Sequence, residues 1–266
     1  MRTRVRLVAT DLDGTIVRRD GSVSPRTVAA LAAVEAAGWH LVLVTGRPPR
    51  WMAPIIEATG HRGRAICANG AFVYDLHTER VLESFLLDVP TAHEVVRRLR
   101  AVMPDVHFAF EADDVFAREA DYNAHWPTPD GHPVGPAEEL IDRPLAKLLA
   151  RDDTSLGDAM LALAGPAIAG LATVTHSNPR DGLLEISAPG VSKATTLARL
   201  CTELGVAAAD VVAFGDQPND LPMLEFAGRS YAVANAHPAV LSAVDRHAPS
   251  VDDDGVATVL EALLGE

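Results

Sequence analysis

VRLVATDLDGT, residues 5–15, is the stretch that decides the fold. Val5 and the run Leu7, Val8, Ala9 suit a short buried strand whose C-terminal end delivers Asp11. Ser24 followed by Pro25 marks a helix start, Val28, Leu31 and Val34 share one face of that helix, and Gly38 closes it. Residues 39–45 (WHLVLVT) read as a second buried strand ending on Thr45-Gly46-Arg47, with a further helix expected over about 48–60. Near-continuously apolar strands alternating with helices predict a parallel sheet covered by helices on both faces.

Outward from that unit the pattern changes near Ser84. The segments VHFAFEADDVFARE, AKLLARDD, LATVTHSN and LLEISAP are shorter and more alternating, which predicts a mixed or antiparallel sheet. Helices are expected over about 91–103 and 155–164, and Asn178-Pro179-Arg180-Asp181-Gly182 reads as a turn. The uncharged run 159–175 falls short of the roughly 20 residues a bilayer span needs and carries Gly165-Pro166, so it reads as a buried helix followed by a strand. After Gly190 the first pattern resumes, with a helix over 192–204, strands over 211–215 and 230–233, and helices over 220–227 and 256–264. The expected fold class is α/β: a doubly wound parallel sheet formed by residues 1–84 and 191–266, interrupted by an inserted α+β domain over 85–190.

The chain has 266 residues, and 23 Lys and Arg stand against 36 Asp and Glu, a net charge of −13. An acidic surface argues against nucleic acid or an anionic membrane as partner, since both attract clustered basic residues. With 48% hydrophobic and 22% charged residues, the composition is that of a globular protein. Counted by segment, the charge is +3 over residues 1–84, −9 over 85–190 and −7 over 191–266. Cys67 and Cys201 lie far apart in apolar contexts and read as buried thiols of a reducing compartment. Asp11 arrives before a signal-peptide core could form, so a cytoplasmic location is expected.

Chemistry concentrates where strands end. Asp11 and Asp13 directly follow the first strand, and Asp216, with Asn219 and Asp220 behind it, leaves the strand VVAFG in the same way. In open α/β sheets the carboxyl ends of the strands form the binding crevice. Each aspartate alone reads as a helix N-cap; three at strand ends read as a site. Two carboxylates about 4 Å apart repel by roughly 4 kcal/mol at an effective dielectric near 20, so converging them calls for a cation. All-oxygen ligands select Mg2+ or Ca2+, and Mg2+ keeps one or two carboxylates with waters and substrate phosphate. Thr45-Gly46 is expected to open a helix and hold an anion there with its hydroxyl and amides. Lys193, one of two lysines in the chain, starts a helix against the macrodipole, a placement that calls for a compensating anion such as phosphate. Lys147 has no such argument. His125-Trp126 and His132 sit in a polar, Pro-rich stretch and read as solvated loop residues, Asp252-Asp253-Asp254 as a turn capping the last helix, and Asn69-Gly70 as a tight turn.

Taken together and in order, DLDGT, LVTGR, GVSK and GDQPND resemble the haloacid dehalogenase superfamily of phosphotransferases, and more closely its Cof-type phosphatases, which carry a large α/β cap between the second and third motifs. CANGAFVYD, EISAPGVSKATTL and VANAHP extend the resemblance along essentially the whole chain. The resemblance implies that Asp11 is the nucleophile and forms an aspartyl-phosphate, and that Asp13 is the general acid and then the base. It further implies that Thr45, Gly46, Lys193 and Asn219 bind the phosphoryl group. Mg2+ would sit on Asp11, the Asp13 backbone carbonyl and Asp216, assisted by Asp220 or Asn219. The substrate implied is a small phosphorylated metabolite, with the cap setting specificity. Gln217-Pro218 departs from the family pattern, which more often has a small Ser first. A phosphomutase-like transferase and a phosphoacceptor signalling module use similar parts, but a receiver module should need only about half this length and no insertion.

Overall fold

The computed structural model describes residues 5–112 and 115–265. The basic start at residues 1–4 and Asp113-Asp114 of the segment VHFAFEADDVFARE lie outside the described residues. The chain divides into two compact units, Met1–Glu83 with Lys193–Glu266, and Ser84–Ser192.

In chain order the strands are β1 (Leu7–Thr10), β2 (His40–Val44), β3 (Arg64–Cys67), β4 (Phe72–Asp75), β5 (Arg80–Ser84), β6 (His107–Ala112), β7 (Val115–Arg118), β8 (Lys147–Arg151), β9 (Thr173–Thr175), β10 (Leu183–Ser187), β11 (Val211–Gly215), β12 (Arg229–Val233) and β13 (His247–Ala248). The helices are α1 (Pro25–Ala36), α2 (Ala53–Thr59), α3 (Val89–Val102), α4 (Ala137–Leu140), α5 (Gly157–Ala167), α6 (Lys193–Glu203), α7 (Leu221–Phe226), α8 (Pro238–Ala243) and α9 (Gly255–Leu264). No described helix is long and apolar enough to cross a membrane.

The first unit is built on one sheet of order β13-β12-β11-β1-β2-β3-β4-β5. Pairing is parallel from β13 through β3, and β4 returns antiparallel to β3. Leu7, Val8 and Ala9 are wholly buried, as a central strand covered on both faces must be, and each such Leu or Val contributes about 1.5–3 kcal/mol of burial. Ser24 caps α1 by accepting from the Thr27 amide at 3.0 Å, and α1 packs against α9. The antiparallel return of β4 departs from the purely parallel expectation: the turn at Asn69-Gly70 folds the chain from β3 back as a hairpin.

Within the second unit the sheet is wholly antiparallel, of order β7-β6-β8-β10-β9. Its period of two is sharp. Phe108, Phe110, Leu148, Ala150, Leu184 and Ile186 face the buried stripes of α3 and α5, where Val95, Val96, Leu99, Met160 and Ala164 lie. Intervening residues hold a smaller cluster of Ala109, Phe116, Tyr122 and Leu149. The run 159–175 does contain a helix and a strand, but α5 is buried on one side only, and Leu163 is exposed. Asp88 caps α3 through the Thr91 amide, starting that helix two residues before the expected Thr91.

Candidate active site at the switch point of the sheet

From β1 the chain winds outward through β2 and β3, and from β11 it winds the other way through β12 and β13. The reversal lies between β1 and β11, where an open sheet leaves a crevice at its carboxyl edge. Asp11 leaves β1 there and Asp216 follows β11, and the Asp11 amide donates to the Phe214 carbonyl at 3.0 Å. Close approach of the two loops depends on Gly14, whose φ is +84°. A Cβ at Gly14 would stand 2.5 Å from Asp216 Oδ2. Gly14→Ala is therefore expected to destabilise by at least about 1–2 kcal/mol from the backbone alone and to push Asp216 out of place. A variant matching the parent in both thermal unfolding and divalent-ion binding would contradict this.

Asp11, Asp216 and Asp220 each offer a carboxylate oxygen, all within 4.8 Å of one another, and all three side chains are buried. Lys193, 1% exposed, donates from Nζ to Asp11 Oδ1 and to Asp220 Oδ1, both at 2.6 Å. The anions that its position on α6 called for are thus carboxylates of the chain itself. Asp220 Oδ2 accepts the amides of Asp216 and Gln217 at 3.0 Å each, so hydrogen bonds engage both of its oxygens. Gln217 also gives its Nε2 to Asp216 Oδ2 at 2.7 Å, the side-chain bond at the position where the family pattern has Ser. Thr15 Oγ1 lies 3.3 Å from Asp11 Oδ2 and 3.4 Å from Asp216 Oδ1.

Three carboxylates against one ammonium leave two negative charges uncompensated when all ionise. The acids respond accordingly. Burial, opposed by Lys193 and reinforced by Asp220 and Asp216, holds the Asp11 carboxyl well above its usual range. Burial with Asp220 alongside pushes Asp216 up to about 7. For Lys193 burial disfavours the charge, but Asp11 and Asp220 overcome it and keep the amine protonated above the usual lysine range.

The Asp13 carboxylate does not join the other three. It is 57% exposed and lies outside the buried trio, because Arg47 grips it through Nε at 2.8 Å and a terminal nitrogen at 2.5 Å. Thr45 is buried, and its Oγ1 accepts the Arg47 amide at 3.0 Å. Thr45-Gly46 does not open a helix. A 3-10 turn at Pro49–Trp51 comes first and α2 begins only at Ala53, since Pro48 and Pro49 lack amide hydrogens and force an extended approach. The last acidic loop likewise begins as a 3-10 turn, Pro218–Asp220, ahead of α7. Asn219 is buried and donates from Nδ2 to Asn69 Oδ1 at 3.2 Å.

Several residues of this site escaped the sequence reading. Arg47 stood inside LVTGR and Thr15 inside DLDGT without a role. Asn235, inside VANAHP, donates to the Gly14 carbonyl at 2.7 Å and accepts the Val251 amide at 2.8 Å. Other residues serve elsewhere. Asp254 stands at the N-cap of α9 but makes no side-chain cap; its carboxylate takes Arg18 at 2.9 Å. In the second unit His125 lies 3.0 Å from an Arg151 nitrogen, Trp126 stacks on that guanidinium, and His132 accepts from Arg118 at 2.9 Å. Lys147 is buried there beside Glu185 at 3.2 Å, a pairing its sequence context did not announce.

A family model described as haloacid dehalogenase-like hydrolase matches residues 8–260. The chain is 28% identical over 281 aligned residues, covering 98% of each protein, to 5-amino-6-(5-phospho-D-ribitylamino)uracil phosphatase YitU of Bacillus subtilis. It is 30% identical to pyridoxal phosphate phosphatase YbhA of Escherichia coli, over 88% of this chain and 90% of that one. Among solved structures, the haloalkanoate-superfamily phosphatase BT1666 of Bacteroides thetaiotaomicron superposes with a TM-score of 0.81 at 24% identity, over 98% of this chain and 96% of that one.

Proposed function

We propose that this chain, which belongs to the haloacid dehalogenase-like hydrolases, is an Mg2+-dependent phosphatase that cleaves a small phosphorylated metabolite through an aspartyl-phosphate. The observation that carries the reading is Asp11: a buried strand-end carboxylate, paired to Lys193 at 2.6 Å, in a cluster that is two charges negative when its three acids ionise. That deficit, the all-oxygen donor set and the raised Asp11 and Asp216 carboxyls fit a hard divalent cation. Asp11 and Asp216 would hold it, while Asp220 stays engaged with Lys193 and the loop amides. When bound, Mg2+ neutralises charge on the phosphoryl oxygens and on the attacking carboxylate.

The chain's own groups supply the remaining steps. An Asp11 oxygen attacks phosphorus, the bond from phosphorus to the ester oxygen breaks, and Asp13 gives that oxygen its proton. Water then attacks the acyl-phosphate, its proton passes to Asp13, and cleavage of the P–O bond to Asp11 restores the carboxylate and frees phosphate. Arg47 holds Asp13 in a fixed bidentate orientation for both transfers. Lys193 has three N–H donors and uses two on carboxylates, which leaves one for the phosphoryl group. Thr45, whose oxygen already accepts an amide, keeps its hydroxyl hydrogen for the same purpose. The excess of acidic residues over 85–190 favours monophosphates over polyanions as substrates.

A phosphate-release screen over monoesters with and without chelator tests the reading. The substrates named for the two curated relatives are its first members. Release is expected to require a divalent ion, and release untouched by chelation would exclude the proposal. Stability gives a second readout. Protonated Asp216 contributes stability fully present below its ordinary 3.8 and lost as pH rises through about 7, a span worth roughly 4 kcal/mol. Mg2+ binds the ionised carboxylates, so its thermal stabilisation should be larger at about pH 8.5 than at about pH 5.5. An equal or reversed shift would count against Asp216 as a ligand.

A further inference from the structure

Ala68, Asn69 and Gly70, in the turn after β3, are all buried and have φ of 50°, 56° and 109°. Three consecutive left-handed residues persist only where the surroundings hold them, and asparagine is among the few non-glycine residues that accept the conformation readily. Here the surroundings are the loops of the candidate site. The Ala68 amide donates to the Arg47 carbonyl at 2.9 Å and the Asn69 amide to the Thr45 carbonyl at 3.0 Å. Thr196, three residues beyond Lys193 on α6, donates its hydroxyl to the Gly70 carbonyl at 2.8 Å. Asn219 completes the set through its Nδ2 bond to Asn69 Oδ1 at 3.2 Å. One short turn therefore ties the loop after β2, the helix of Lys193 and the loop after β11 together.

Asn219 Oδ1 is buried and makes no hydrogen bond among the described residues. With one N–H given to Asn69, the amide plane is set, and the second N–H and Oδ1 are what Asn219 has left to present to a ligand. We propose that Asn69 is a positioning residue: through that bond it orients the Asn219 amide so that the remaining N–H meets the transferring phosphoryl group. The inference rests on the phosphatase reading above and on the phosphoryl-binding role that the family resemblance implies for Asn219.

Glycine accepts the left-handed region, so Asn69→Gly keeps the turn's backbone and removes the side-chain amide that carries the acceptor. The test is a double-mutant cycle of Asn69→Gly and Asn219→Ala, measured by kcat/KM on p-nitrophenyl phosphate and by Tm. Asn69→Gly is expected to lower kcat/KM about tenfold in the wild-type background with a small drop in Tm and unfolding still cooperative, and less than about twofold in the Asn219→Ala background. Equal losses in both backgrounds, or no loss in the wild type, would overturn the proposal. If the wild type itself releases no phosphate with divalent ions present, the hydrolase reading is what fails. The cycle is then read on Tm, where non-additive single losses support the Asn69–Asn219 coupling and additive ones refute it.

Discussion

Asp11→Asn is expected to reduce phosphate release by on the order of 10^4-fold or more while leaving the fold intact, because a carboxamide has almost the shape of the carboxylate but no nucleophilic oxygen anion. The same substitution removes one of three buried acids from a cluster with a single ammonium. Lys193 keeps Asp220 at 2.6 Å, so no cation is left without a partner. In metal-free buffer the variant should therefore unfold at the same temperature as the parent or higher, loss of activity accompanied by relief of repulsion. Activity within tenfold of the parent would remove Asp11 from the nucleophile's role. A variant that is inactive because it unfolds would place Asp11 among the residues that hold the fold.

Lys193→Met goes the other way. The thioether chain fills much of the lysine's volume, but it leaves Asp11 and Asp220 buried with no ammonium. Breaking a buried pair by removing one partner costs about 3–5 kcal/mol, a large part of the stability of a typical domain. Protonation of the orphaned acids relieves the repulsion. The Asp11 carboxyl is already held upward by burial, so the loss should be smaller near pH 5 than near pH 8. Denaturant unfolding at both pH values measures it, and a methionine variant as stable as the parent at pH 8 would show that the trio does not need its lysine. Lys193→Arg should fail to restore activity, since a forked guanidinium does not fit a side chain that is 1% exposed between two carboxylates.

Much of the fold was legible because its signals are local. The apolar runs of β1, β2 and β11 are continuous over a few residues, each ends on polar or glycine-rich punctuation, and DLDGT, LVTGR, GVSK and GDQPND follow in the order that marks the family. Strands without a signal of their own in the sequence are the short ones and those packed around a tight turn. β13 has two residues, and β3 and β4 are joined by a turn whose left-handed residues include Ala68, a type that gives no warning of a positive φ. Pro48 and Pro49 are visible in the sequence and delay the helix to Ala53.

Sequence alone determined the α/β class, the two changes of pattern near residues 84 and 190, and the choice of Asp11, Asp216, Asp220 and Lys193 as residues worth bringing together. Tertiary structure decided what those side chains touch. Asp13 turns out to Arg47 across 34 residues of chain, Lys193 bridges Asp11 and Asp220, and Asn69 meets Asn219 across 150 residues. Periodicity and punctuation report which face of an element is buried and where it stops. The direction of a side chain leaving a strand end is set instead by which loops the sheet order makes neighbours, and the switch between β1 and β11 exists only once the strands have paired.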